Sequence, residues 1–216
     1  MFEATKAQAL EGLLLDIRDN NVDPLIESIL IKLNSLPFAF TKFSCQGHPE
    51  IKEIMNLASV CGSSRYRSAF ALICEAHIIF GLNPRQKEAN EFLRELVNFL
   101  RNFRIEGEGE CFIEIFGDPI AETSIVDFYN RVQGVDLRYT LRLTKGKKFF
   151  DPKHYGRDVR FWILRFSALG RIMSEEEKSE KIDLVQRNLQ KFYQELEVLI
   201  DPFWALSAQD YLMIPE

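Results

Sequence analysis

Residues 38–49 read FAFTKFSCQGHP, and this stretch is the most informative part of the chain. The aromatic and β-branched residues of Phe38–Cys45 predict a strand, and Gly47 predicts a turn directly after it. Pro49 predicts the start of a short helix that extends to about Val60. A strand, a glycine turn and a helix start can together expose one reactive side chain beside unpaired backbone N–H groups. We therefore expect the functional site at this turn.

Four longer helices are predicted around this stretch from apolar residues that recur on one helical face. They cover residues 3–18, a segment that begins at Asp23-Pro24, a segment that begins at Asn83-Pro84, and a segment from Ser174 to Asp201-Pro202. Asp or Asn followed by Pro is typical of a helix N-cap and first helical position. The sequence Ser174-Glu175-Glu176-Glu177 fits a capping box, so the last helix should begin there.

Strands are predicted between the helices where aromatic and β-branched residues alternate with polar ones. These segments are Phe38–Cys45, Ala69–Phe80, Glu110–Phe116 and Val135–Leu143. Such alternation suits an antiparallel or mixed sheet of about four or five strands, with helices packed on one face. The chain is therefore predicted to form a single α+β domain over residues 1–216, in which residues 174–216 form a long C-terminal helix and tail that pack on it.

Composition and charge exclude several classes of protein. The chain has 216 residues, is 46% hydrophobic and carries a net charge of −5, which disfavours general binding to duplex nucleic acid. No apolar run is long enough for a membrane span, and the first residues do not resemble a secretory signal. The four cysteines are widely and irregularly spaced, so free thiols and a cytoplasmic location are expected.

Cys45 and His48 are the candidate catalytic residues, and Ser44 and Gly47 are expected to line the same site. A thiolate is stabilised by a helix N-terminus and by a nearby imidazolium, so Cys45 is a candidate nucleophile and His48 its base. The alternative is that Cys45 is a small buried residue at a strand end, which is common for free cysteine. Cys45-x-x-His48 is also half of a zinc pattern, for which His77 and Glu75 could supply further ligands; the trio Cys45, His48 and His77 is the candidate three-ligand site.

A polar floor for this site is predicted on the neighbouring strands. Glu75 and His77 lie two residues apart on one strand and so share a face. Glu114, Arg138 and Arg142 share that face if their strands are neighbours. These five side chains are either the floor of a pocket that binds a small molecule or a solvated sheet face joined by cross-strand ion pairs.

Two further surfaces are candidates for larger partners. Basic residues in two turns, Arg65, Arg67, Lys147, Lys148 and Arg157, could contact an RNA backbone, or they could simply lie in water. The C-terminal residues Phe203, Trp204, Tyr211 and Leu212 could dock a partner or a second copy of the chain, which would make a homo-oligomer.

Part of the N-terminal region resembles known families. The residues that carry the resemblance are Asp23, Ile26, Ile29, Leu33, Asn34, Ser35, Pro37, Thr41, Ser44, Cys45 and Gly47. They are similar to the start of the wybutosine-synthesis tRNA methyltransferase family, and the Ser44–His48 ending is closer still to bacterial and phage proteins with a Ser-Cys-x-Gly-His signature. The resemblance implies the architecture and a site at the Cys45 turn. Under the tRNA-modifying alternative it also implies S-adenosylmethionine as cofactor and tRNA as partner.

Overall fold

The fold is taken from a computed structural model of the protein, which describes residues 2–54, 69–115, 137–146, 158–172 and 174–212. The helices within these residues are α1 (Phe2–Arg18), α2 (Pro24–Ser35), α3 (Lys87–Asn102) and α4 (Glu175–Leu212). The strands are β1 (Ala39–Cys45), β2 (Glu50–Ile54), β3 (Ala69–Leu82), β4 (Glu110–Ile115), β5 (Leu137–Lys145) and β6 (Arg160–Ile172). The predicted α+β class with a mixed sheet and a long C-terminal helix is confirmed.

The described strands form one sheet in the order β1-β3-β6-β5-β4. β4 pairs with β5 in parallel, and the pairs β1–β3, β3–β6 and β5–β6 are antiparallel. β2 also pairs antiparallel with β3. It pairs with the first residues of β3, and β1 pairs with the later residues along the same edge. Strands β3 and β6, which pair along almost their whole lengths, therefore form the centre of the sheet.

The turn after Cys45 is a bulge in an edge strand, because β1 and β2 follow one another along the same edge of β3. Cys45 pairs with His77 and Glu50 pairs with Ile73, so the four residues 46–49 lie opposite the three residues 74–76. The predicted helix from Pro49 is therefore wrong over Glu50–Ile54, and residues 55–60 lie outside the described part. Proline at a helix start and proline at a strand edge give the same sequence signal, since neither position needs its N–H.

The starts of the helices mostly follow the predictions. Pro24 begins α2, and both halves of the capping box at α4 are present, since Ser174 and Glu177 exchange hydrogen bonds of 3.2 Å. α3 begins at Lys87 rather than at Pro84. The side-chain oxygen of Asn83 instead accepts a hydrogen bond from the Arg85 N–H at 3.1 Å, and the backbone carbonyl of Asn83 accepts one from the Gln86 N–H. The chain therefore completes a turn before the helix begins.

The end of α4 was predicted at Asp201-Pro202 but lies at Leu212, with Pro202 inside the helix. Proline removes one helical hydrogen bond. The residue after it, Phe203, packs edge-on against Phe38 and Phe92, with ring centroids 6.1 Å and 5.4 Å away. These tertiary contacts favour continuation of the helix where the local sequence predicts its end.

β6 is a central strand that the sequence analysis missed. Its aromatic residues Phe161, Trp162 and Phe166 are buried. Aromatic residues interleaved with arginines are typical of a half-buried strand, in which the aromatic side chains enter the core and the charged ones lie on the other face.

The main core lies between the sheet and three helices. α2, α3 and α4 cover one face of the sheet with side chains such as Ile29, Phe92, Leu96 and Phe192. α1 instead covers one end of the opposite face, where Phe2 packs in a small buried cluster with Phe40, Ile79, Phe161 and Ile163. The rest of that face carries the predicted polar floor.

Candidate functional site on the open face of the sheet

We call the sheet surface opposite α2, α3 and α4, beyond the end covered by α1, the open face. Strand pairing defines its members, because directly opposed residues point to the same side. They are Cys45 of β1; Ile73, Glu75 and His77 of β3; Arg165, Ser167 and Leu169 of β6; Arg138, Thr140 and Arg142 of β5; and Glu110, Phe112 and Glu114 of β4. The structure thus places Cys45 together with the five residues of the predicted floor.

One row of side chains crosses the open face from edge to edge. Glu114, Arg142, Arg165, His77 and Cys45 are successive partners on β4, β5, β6, β3 and β1. Neighbouring strands lie about 4.8 Å apart, so Cys45 lies roughly 10 Å from the backbone of Arg165 and next to that of His77. The row combines a thiol, an imidazole and two guanidinium groups on one accessible surface.

Ion pairs occupy the β4 side of this face. Arg142 Nε lies 2.8 Å from Glu114 Oε2, and Arg138 Nη2 lies 3.1 Å from Glu110 Oε2. Arg138 also lies 4.9 Å from the centre of the Phe112 ring. The parallel β4–β5 register creates these pairs, and they correspond to the cross-strand interpretation of the floor.

The β1 side of the row brings Cys45 and His77 together. Directly opposed residues of an antiparallel pair have Cβ atoms about 4.5–5.5 Å apart, and both residues are partly exposed here. Partial burial, and to a lesser degree the charge of Arg165, lowers the pKa of His77 below its ordinary value of 6.5, while Glu75 acts in the opposite direction. His77 is therefore neutral at neutral pH, the form that can accept a proton from a thiol.

The bulge beside Cys45 is fixed from the helix side. The buried Tyr193 hydroxyl of α4 lies 3.1 Å from the Gln46 carbonyl and 3.3 Å from the Cys45 carbonyl, to which it can donate. Gln46 also bonds the start of α2: its N–H donates to Asp23 Oδ2, and its side-chain oxygen accepts the Leu25 N–H. These contacts hold the Cys45 backbone in place at the end of β1, opposite His77.

Gly47 allows the bulge to pack tightly against the central strand. Its φ is +84°, which favours glycine. A Cβ atom at this position would lie 2.7 Å from Ala76 Cβ and 3.1 Å from the Ala76 backbone. Gly47 therefore has a structural role at the site.

His48 lies on the other side of the bulge. Its Nε2 is 3.7 Å from Asp23 Oδ1, and its side chain is 60% exposed. It lines an open groove of about 600 Å³ together with Pro24, Gln46, Gln186 and Gln190. In the described structure no hydrogen bond joins the Cys45 thiol to His48 or to His77. Ser44 also points to the helix side, since its strand partner is Ile78.

The other chemical candidates receive less support from the structure. Within the described ranges no three His, Cys, Asp or Glu side chains gather as metal ligands would, so the trio Cys45, His48 and His77 does not form such a group. Cys74 lies in the core, where burial raises the pKa of its thiol to about 12. Burial also raises the pKa of Cys111.

The candidates for larger partners are described only in part. Arg65, Arg67, Lys147, Lys148 and Arg157 lie outside the described residues, as do the side chains of Tyr211 and Leu212. Phe203 is partly buried and packs against the core, whereas Trp204 is 41% exposed, with Lys32 Nζ 5.8 Å from its ring centre. None of the described helices combines the length and apolarity needed to cross a membrane.

Sequence reasoning missed three residues of the site. Asp23 was expected to cap α2, yet its side chain makes no cap hydrogen bond and contacts the bulge instead. Tyr193 lies on the apolar stripe of α4, and nothing local marks its hydroxyl as a partner of residues almost 150 positions away. Arg165 could have been found only by recognising β6, since alternation within that strand separates it from the buried residues on either side.

Comparison with known proteins adds information on the fold alone. No family model matches the chain, and no curated protein matches it in sequence. Among solved structures, the PH1069 protein from Pyrococcus horikoshii matches with a TM-score of 0.50 at 16% identity, over 94% of this chain and 95% of that one. A second structure, of PH1069 from Pyrococcus horikoshii OT3, matches with a TM-score of 0.48 at 16% identity, over 95% and 94% of the two chains. The first match shows that this arrangement of helices and strands also occurs in an archaeal protein.

Proposed function

We propose that the protein binds a small molecule on the open face, next to the Ser44–His48 bulge, and that Cys45 acts there as a nucleophile. The single observation that carries this proposal is the row Cys45–His77–Arg165–Arg142–Glu114, which crosses five strands on a face that the three core helices leave uncovered. A row that places a thiol, a neutral imidazole and guanidinium groups side by side offers both chemistry and binding.

The strand pairing supports different roles for the two histidines. His77 lies opposite Cys45 and is neutral at neutral pH, so it is the residue that would accept the thiol proton. His48, the base expected from the sequence, lies beside Asp23 on the helix side and belongs to the separate groove. In the proposal His48 therefore has no role in activating Cys45.

The experiment is alkylation of the native protein by iodoacetamide at neutral pH, followed by mass spectrometry of each cysteine. We expect Cys45 to react fastest, Cys111 more slowly and the buried Cys74 least, because burial disfavours the reactive thiolate in the last two. Labelling of Cys45 at or below the rate of Cys111 would contradict a nucleophilic role. Unfolded protein, in which all cysteines should react alike, is the control.

A second candidate is an RNA-binding function of the tRNA-modifying type. Exposed aromatic rings favour it, because Phe43 on β1 and Phe112 on β4 are 60% and 46% exposed. Arg142 and Arg165 lie on β5 and β6, between these two strands. Such a surface can stack bases and contact phosphates. Its test is tRNA binding as a function of salt, in which replacing Lys147, Lys148 and Arg157 by glutamine should lower the salt slope by about two to three. Absence of salt-sensitive binding would reject this candidate.

A further inference from the structure

Two arginines lie side by side in the middle of the open face, an arrangement that folding alone does not favour. Arg142 and Arg165 are direct partners of the antiparallel β5–β6 pair, and both are partly exposed. Like charges directly opposite one another destabilise a sheet. Glu114 neutralises Arg142, with its two carboxylate oxygens 2.8 Å and 3.4 Å from the guanidinium nitrogens.

Arg165 has no such neutralising partner in the described part of the chain. Among the described residues, no carboxylate oxygen lies within 4.0 Å of its guanidinium nitrogens, and no side-chain hydrogen bond engages it. The nearest acid on β3 is Glu75, which lies diagonally across from Arg165 rather than opposite it. Diagonal neighbours are about 7–8 Å apart, and Glu75 and Arg165 form no ion pair in the described structure.

Two hydroxyl groups lie on the same face as Arg165. Thr140 and Ser167 are also direct β5–β6 partners, two residues along from the arginines on the same face. Within the described parts of the chain, neither hydroxyl makes a side-chain hydrogen bond. We call these four residues, Arg142, Arg165, Thr140 and Ser167, the arginine block. It presents fork-shaped cationic donors beside neutral hydroxyl donors, which is the donor set that oxyanions prefer.

We propose that the arginine block is the recognition site for an oxyanion group, a phosphate or a carboxylate, on the ligand of the open face. The proposal rests on the function proposed above and names the chemical class of the ligand. Two acidic residues limit the size of the anion, because Glu114 and Glu75 lie on either side of Arg142 and Arg165. A single compact anion fits between them, whereas an extended polyanion would meet these carboxylates. The block lies roughly 10 Å from Cys45, which places the anion at one end of the ligand and the reacting group at the other.

The test is thermal unfolding of the full chain with millimolar sodium phosphate or sodium acetate, each compared with sodium chloride at equal ionic strength. We expect one of the two anions to raise the melting temperature of the wild type, because a ligand that binds only the folded state stabilises it. In Arg165→Gln the affinity should fall about tenfold or more, since one charge-assisted donor is removed. A rise with phosphate alone identifies a phosphate ligand, and a rise with acetate alone identifies a carboxylate.

Arg187→Gln is the matched control, because Arg187 is an exposed arginine of α4 on the helix side of the sheet. It should keep the wild-type response. No response of the wild type to either anion, or an equal response in Arg165→Gln, would overturn the proposal. Circular dichroism shows whether Arg165→Gln is folded, and Arg165→Lys, which keeps the charge without the fork, should retain part of the response. This readout does not depend on Cys45, so an unreactive Cys45 would reject the nucleophilic role and leave the anion site standing.

Discussion

Replacing Gly47 by alanine should destabilise the protein strongly, because this glycine fixes the bulge that carries Cys45. A side chain at φ +84° costs about 1–2 kcal/mol. The added Cβ would also lie 2.7 Å from Ala76 Cβ and 3.1 Å from the Ala76 N and Cα atoms. Ala76 belongs to the central strand β3 and cannot move freely, so overpacking should add about 1–3 kcal/mol. The expected loss is therefore roughly 2–5 kcal/mol of unfolding free energy.

The assay is urea unfolding of Gly47→Ala beside the wild type and Gly12→Ala. Gly12 lies within α1, and nothing is within 4 Å of the position that its Cβ would occupy. Its replacement should therefore leave stability unchanged or raise it by about 0.5–1 kcal/mol, since alanine favours a helix. If Gly47→Ala unfolds at the wild-type urea concentration, the close packing of the bulge on Ala76 is refuted.

Two further predictions concern residues that adjoin the bulge. Tyr193→Phe removes the buried hydroxyl that donates to the Cys45 and Gln46 carbonyls, so it should lower the unfolding free energy by about 1–3 kcal/mol in urea, and an unchanged value would contradict this contact. Because the pKa of His77 is lower in the folded chain, its imidazole binds a proton at a higher pH in the unfolded chain than in the folded one. His77 therefore stabilises the fold above pH 6.5, and this contribution is lost as the pH falls through the folded pKa. His77→Gln should flatten the fall in melting temperature on mild acidification; a fall as steep as that of the wild type would contradict the assignment.

Local patterns predicted the positions of the four helices and of strands β1, β3, β4 and β5. The stripes of α1 and α2 and the capping box at Ser174 are signals that lie within a few residues of one another, and they depend little on the rest of the fold. The prediction failed where a local signal has two meanings. Pro49 marks an edge strand instead of a helix start, and Pro202 lies inside a helix because Phe203 packs against the core.

The composition of the site could be predicted further than its geometry. Alternation within each strand was enough to group Glu75 with His77 and Arg138 with Arg142. Strand order and register, which no short pattern contains, decide that His77 rather than His48 lies beside Cys45. They also place Arg165 next to Arg142 across the unrecognised strand β6.

We propose that Cys45 works with His77 on the open face, and labelling of Cys45 in His77→Gln and in His48→Gln distinguishes the two histidines. Both substitutions remove an imidazole close to Cys45 in the sequence or in the sheet, so they form a matched pair. We expect His77→Gln to slow iodoacetamide labelling of Cys45 at neutral pH several-fold, because the proton acceptor opposite the thiol is lost, and His48→Gln to leave the rate unchanged. Slower labelling in His48→Gln with a wild-type rate in His77→Gln would show instead that Cys45 works with His48.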